Sequence, residues 1–361
     1  YYKKYPDWVY AWNAGKPALA YAGKSWTLLH PSAKYLFGGA DDRAYEIDFP
    51  GFGRTFPHAY GKSGDKYLTT RLTLSPAGDE LTLDFAKTLL DNERLGQHEV
   101  PDYLAISFSS TDYVGHMFGA SSLESEDNLA HLDRTLADLL AHVDRKVGLN
   151  NTLIVLSADH GQPEIPGHLH ELGIEAAHYF DTKALDKAPA IAALKMKFGM
   201  GEELIEAFFQ PYIYLNHKLI REKGLDQAAV ERAVAAELEK FDGVAAAVSS
   251  SALRSASLPD TVLMRSILRN FHPKRSGDVY LVFNPNVFIN DFDGLTVAST
   301  HGSPWRYDTF VPVIFAGAGL KPKVISRPVT PYDIAPTLSA YLGVKPPSAA
   351  IGNPLPEVLG Q

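Results

Sequence analysis

Three observations predict an α/β fold. Residues 103–108 (YLAISF) and 152–156 (TLIVL) are short apolar runs with the β-branched and aromatic content of buried strands. Between them lies a long segment whose leucines recur at helical spacing. Strand, helix and strand in that order fold as a right-handed unit with parallel strands. Each run also breaks at once into acid and imidazole, Asp112 and His116 after the first, Asp159 and His160 after the second. Loops that follow parallel strands emerge at one edge of the sheet, where open α/β folds place their sites. The four side chains are therefore expected to converge.

Composition narrows the function. The 361 residues are 45% hydrophobic and 21% charged, enough for a large core in one α/β domain with an insertion, or in two domains. The formal net charge is -8 and no basic run occurs, which argues against a nucleic-acid polymer as partner. No stretch approaches the ~20 apolar residues of a membrane span. There is no cysteine. Disulfides and thiolate ligands are excluded, so any metal must be held by His and carboxylate.

The elements follow in order. Residues 1–60, rich in aromatics, Gly and Pro, read as a packed, mostly irregular region with one short helix near 5–12. Asp41 and Asp42, in a GGADDR stretch, read as solvated turn residues. Residues 80–95 put Leu83, Ala86, Leu89 and Leu90 on one helical face, and Gly96 stops that helix. Ser121 or Ser122 can cap the next helix, which carries acids in its first turn. It runs to about Val147 with Leu129, Leu132, Leu136, Leu139, Leu140 and Val143 as its stripe. His131 and His142, on the same helix, have no partner in ligand register and read as surface or boundary histidines.

Residues 162–290 change texture, with a loop holding His168, His170 and His178, helices at 202–209 and 226–241, and a small strand at 279–283. The expected organisation is an α/β domain begun by 1–165, a cap or insertion at 166–290, and a return to the α/β domain at 291–361. The return carries a strand at 311–316 and a helix opened by Pro331, with Thr330 or Asp333 as cap.

Three pieces carry the chemistry. Asp112 and His116 can meet one cation if their loop turns like a helix. Asp159 and His160 are adjacent, so both can serve a site only if the strand ends there. His301, before Gly302, supplies a further imidazole. Oxygen and nitrogen donors of this kind suit zinc. Five exceed what one tetrahedral ion with an open position needs, so two ions ~4 Å apart are the better count. Such a pair clamps the attacking and leaving oxygens of a phosphoryl transfer.

With these residues in view, a resemblance becomes specific. Residues 109–116 (SSTDYVGH), 158–161 (ADHG), 300–303 (THGS) and 333–338 (DIAPTL) together resemble the alkaline phosphatase superfamily. Residues 101–106 and 276–280 extend the likeness to the bacterial PafA-like alkaline phosphatases of the type I phosphodiesterase/nucleotide pyrophosphatase branch. The resemblance implies a three-layer α/β/α fold with a mostly parallel sheet and an inserted cap region. It assigns one Zn2+ to Asp112, His116 and His301, and a second to Asp159 and His160.

The implied activity is that of a two-zinc phosphomonoesterase acting on small phosphate esters through a covalent phospho-Thr or phospho-Ser. The alternatives are a phosphodiesterase or nucleotide pyrophosphatase, and a non-catalytic metal-binding fragment. The nucleophile has no match in this sequence, nor do the family's first zinc Asp and its phosphate-gripping Lys and Arg. The chain resembles the C-terminal two-thirds of such an enzyme and is expected to pack against a missing N-terminal segment, with sheet edge and core exposed without it. Asp308, seven residues after His301, would orient that imidazole or hold a turn. The family implies a periplasmic or secreted location.

Overall fold

A computed structural model describes residues 3–292 and 294–360. The chain divides into two compact units, Tyr1–Gly161 with Val311–Gln361, and Gln162–Phe310.

In the first unit the helices Pro76–Glu93, Ser110–Phe118 and Leu123–Lys146 pack on one another. A hydrophobic core of this unit includes Trp26, Phe52, Leu72, Val114, Met117 and Phe118. Pro76 opens its helix in the first turn, where a missing N–H does no harm. Leu83, Ala86 and Leu90 are buried along its face, as expected. Ser122 is the cap of the long helix, its hydroxyl accepting from Ser125 N at 3.0 Å. The short N-terminal helix is Asp7–Ala14.

Leu132, Leu136, Leu139, Leu140 and Val143 of the expected stripe are half-buried, but the first turns of the long helix depart from it. Leu129 is exposed, whereas Glu124, Asp127 and Asn128 are buried. The reason at Asp127 is a set of hydrogen bonds that satisfies its carboxylate. Asp127 accepts from Trp26 Nε1 at 2.6 Å, from Leu29 N at 2.8 Å and from the Tyr35 hydroxyl. The two helix histidines each lie beside a carboxylate. His142 is buried against Asp91 at 3.0 Å, and Asp127, one turn before His131, lies 3.4 Å from it.

The apolar run at 152–156 is a strand, Leu153–Ser157, but it pairs antiparallel with Val313–Gly317. Residues 103–108 form no strand, although exposed and half-buried residues alternate along them. A strand is a pairing between segments, and strand-like composition alone does not supply the partner. The expected parallel unit is thus absent from the pairing seen among the described residues. There, the first unit's named ladders are antiparallel. The expected helix cap near 331 is present, with Thr330 and Asp333 bonding reciprocally.

The second unit is built on a four-stranded antiparallel sheet in the order Ile205–Phe209, Tyr212–Leu215, Val279–Phe283, Val244–Ser249. Helix Gln227–Leu238, capped by Asp226, packs on it and buries Val230, Val234 and Leu238. Residues 202–209, expected as helix, are largely strand. Ile205–Phe209 folds back on Tyr212–Leu215 as a hairpin, and cross-strand packing overrides the local preference. Residues 291–310 belong to this unit. Trp305 Nε1 donates to Phe283 O at 2.9 Å and Asn286 N donates to the Tyr307 hydroxyl at 3.2 Å. The unit boundaries therefore fall at 161 and 310, and His301 and Asp308 lie inside the second unit.

Candidate metal centre

The segment holding Asp112 and His116 is a helix, Ser110–Phe118. One turn separates the two residues, so they share a face. The opposite side explains why. Val114, Met117 and Phe118 are buried in the core, which turns Asp112 and His116 outward. Their side chains remain partly accessible, and Asp112 Oδ1 lies 3.3 Å from His116 Nε2.

Two residues that sequence reasoning did not single out hold this helix. Ser109, at its N-cap, makes no side-chain cap. The buried Asp79 takes that role from another helix, its Oδ1 accepting from Ser110 N at 3.1 Å. Burial raises the Asp79 carboxyl above its usual range, and the Ser110 N–H opposes that. Gly78 allows the approach, because a Cβ there would stand 2.7 Å from Ser110 Oγ and 3.1 Å from Leu72 O. Asn128 Nδ2 donates to Thr111 Oγ1 at 3.0 Å. The only sequence signal for any of this is a glycine in a helix's first turn, which carries no address.

The strand Leu153–Ser157 ends before Asp159 and His160, as adjacency demands. His160 Nδ1 lies 2.9 Å from Gly161 O. A carbonyl only accepts, so Nδ1 carries the hydrogen and Nε2 is the ring nitrogen turned towards the two carboxylates. Nε2 stands 3.6 Å from Asp112 Oδ1 and 3.6 Å from Asp159 Oδ2. Asp159 is largely exposed.

These separations test whether a metal fits. Two donors each about 2.1 Å from a tetrahedral ion lie about 3.4 Å apart. Asp112 Oδ1 keeps 3.3 Å and 3.6 Å from two imidazole nitrogens, the second beyond hydrogen-bond range. A ring whose other N–H is anchored on a backbone carbonyl is also the usual setting of a metal-ligating histidine. Within the first unit, then, the donor set fits a cation. Asp112 comes within 3.6 Å of both imidazoles, and Asp159 comes near only its neighbour His160, although the parallel strands from which convergence was argued are not formed.

His301 is placed by the second unit, where its carbonyl accepts from Gln210 Nε2 at 3.0 Å. Gly302 adopts φ 108, a conformation that favours glycine. Asp308 is buried and its Oδ2 accepts from Ser303 N at 2.7 Å, so it holds the turn after His301. Burial raises its carboxyl, while the Ser303 donors and then the charge of His301 pull it down.

Residues 3–304 match the family model for type I phosphodiesterase / nucleotide pyrophosphatase. A protein of Myroides odoratus named calcium-transporting ATPase is 36% identical over 100% of this chain and 65% of its own length. Alkaline phosphatase PafA of Elizabethkingia meningoseptica is 32% identical over 100% of this chain and 65% of its own. For alkaline phosphatase PhoV of Synechococcus elongatus the values are 31%, 99% and 63%. The crystal structure of wild-type PafA superposes with a TM-score of 0.89 at 31% identity, covering 100% of this chain and 68% of that one. The chain thus spans just under two thirds of the length of these three curated relatives.

Proposed function

We propose, from the premise that this chain belongs to the type I phosphodiesterase / nucleotide pyrophosphatase family, that it carries the metal-holding part of a two-zinc phosphomonoesterase. The observation that carries the reading is Asp112 Oδ1 facing His116 at ligand-to-ligand spacing, with His160 of the second donor set close beside it. The names of the PafA and PhoV relatives favour a monoesterase, and the family description favours a diesterase as the second reading.

In this reading Asp112, His116 and His301 hold one zinc, and Asp159 and His160 contribute to the other. His301 is assigned by the resemblance of residues 300–303, not by its position. Bound zinc supplies positive charge to the phosphoryl oxygens and lowers the pKa of water towards ~7. The residues of this chain orient the donors. Asp79 and Asn128 fix the helix that presents Asp112 and His116. Gly161 O fixes the His160 ring, and Asp308 fixes the turn that follows His301. The nucleophilic Thr or Ser is not assigned to any residue here. A mostly parallel three-layer sheet, with 103–108 as one of its strands, and a periplasmic or secreted location belong to the same proposal. Among the described residues no helix is long and apolar enough to cross a membrane.

The test is zinc content and hydrolysis by the whole protein, with p-nitrophenyl phosphate and its bis ester as competing substrates. Two zinc ions per molecule, a faster monoester, and loss of both zinc and activity in Asp112→Asn are expected. A faster diester would move the assignment to the second reading. Full zinc content in Asp112→Asn would remove the metal centre from these residues.

A further inference from the structure

A second group of ionisable side chains lies in the first unit and takes no part in holding metal. His58 and Glu124 are fully buried, and Glu46 is 4% exposed. His58 sits among the rings of Phe52, Phe56 and Phe118 at centroid distances of 4.7, 4.6 and 5.3 Å. Its Nδ1 is 3.2 Å from Phe52 O and its Nε2 is 3.2 Å from Glu124 Oε1.

Hydrogen-bond chemistry restricts the protonation of this pair. The carbonyl of Phe52 can only accept, so His58 Nδ1 carries a hydrogen. In a neutral ring Nε2 then accepts, and its partner must donate. Glu124 can donate only as a carboxylic acid. The other arrangement, imidazolium with carboxylate, sets two charges among aromatic rings and away from water. Glu124 Oε2 and both oxygens of Glu46 are buried without a hydrogen-bond partner. Ionised oxygens in that condition are strongly disfavoured.

The surroundings agree. Burial first, and then the charge of Glu124, pushes Glu46 up to about 9. Burial pushes Glu124 up to about 8 and draws His58 down to about 4. The charged groups that face them are Asp41 and Arg43 from the preceding segment and Asp127 from the long helix. Arg43 alone opposes the acids, and its guanidinium donates to Ser121 O at 2.7 Å.

We propose that Glu46 and Glu124 are neutral acids in the folded protein, Glu124 donating to Nε2 of His58, and that they act as an alkaline-side latch whose deprotonation loosens the first unit. The sign follows from linkage. Each folded acid titrates above its ordinary 4.5, so its contribution is full below about 4.5 and is lost as pH rises towards about 8 for Glu124 and about 9 for Glu46. Within that window each acid shifts the opening equilibrium about tenfold per pH unit.

The test reads amide hydrogen exchange along Leu123–Lys146 in the whole protein between pH 5.5 and 7.5. Opening should become more frequent with pH in the wild type, and Glu124→Gln and Glu46→Gln should each flatten that slope by about tenfold per unit. Gln at 124 keeps a donor for His58 Nε2, so the fold is retained while the titration is removed. Slopes equal to wild type in both variants would overturn the proposal. Infrared spectroscopy of the wild type at pH 7 needs no variant to fold. A buried protonated-carboxyl band is expected, and its absence, or a 15N spectrum showing His58 as imidazolium, would also overturn it.

Discussion

Phe118 anchors the helix that presents Asp112 and His116, and its truncation separates the helix's core face from its metal face. The side chain is 1% exposed, and its ring lies 5.3 Å from His58 and 6.5 Å from Phe52. A buried Phe removes about 150–250 Å² from water, or about 4–6 kcal/mol at about 25 cal/mol per Å². An extended reference chain overstates that area, and measured Phe→Ala losses run about 3–5 kcal/mol. Phe118→Ala should therefore destabilise the first unit by about 4 kcal/mol, close to three decades in its opening constant. Tyr113→Ala lies on the same helix at a 43% exposed position and should stay within about 0.5 kcal/mol. Urea denaturation measures the stability, and chelator challenge below the transition measures zinc release. On the proposed two-zinc reading, zinc should leave Phe118→Ala faster by the factor seen in opening, and leave Tyr113→Ala as it leaves wild type. A loss below about 1 kcal/mol in Phe118→Ala, or equal losses in both variants, would refute the view that core packing sets this helix.

Two further outcomes concern the same support. Gly78→Ala places a Cβ 2.7 Å from Ser110 Oγ and 3.1 Å from Leu72 O, so it should destabilise by about 1–3 kcal/mol and weaken zinc retention, read by the same denaturation and chelator assays. Asp79→Ala removes the acceptor of Ser110 N–H and should lose about 1 kcal/mol. Asp79→Asn keeps an oxygen there and should recover most of it, as thermal unfolding of the two variants will show.

How much of this was legible in one dimension varies with the kind of physics involved. Asp112 and His116 could be read because helical periodicity fixes which residues share a face. Asp159 and His160 could be read because a strand cannot turn two adjacent side chains the same way. Helix Pro76–Glu93 announced itself through its apolar face, and Gln227–Leu238 was anticipated as a helix over 226–241. The first turns of the long helix misled, because the apolar spacing pointed to Leu129 while burial there followed the hydrogen bonds of Asp127 to Trp26, Leu29 and Tyr35. Those partners lie about a hundred residues away, and no local pattern names them. The run at 202–209 failed for a related reason, since its hairpin partner decided its conformation.

The sequence by itself determined the donor types, their spacing along the chain, the absence of thiolates and the family. All are properties of residue identity and short-range geometry. Tertiary structure alone decided that Leu153–Ser157 pairs antiparallel with Val313–Gly317, that Asp79 caps the helix of Asp112, and that Glu46, His58 and Glu124 are buried. Each of these depends on which distant groups exclude water or complete a hydrogen bond, and that is a property of the packed chain.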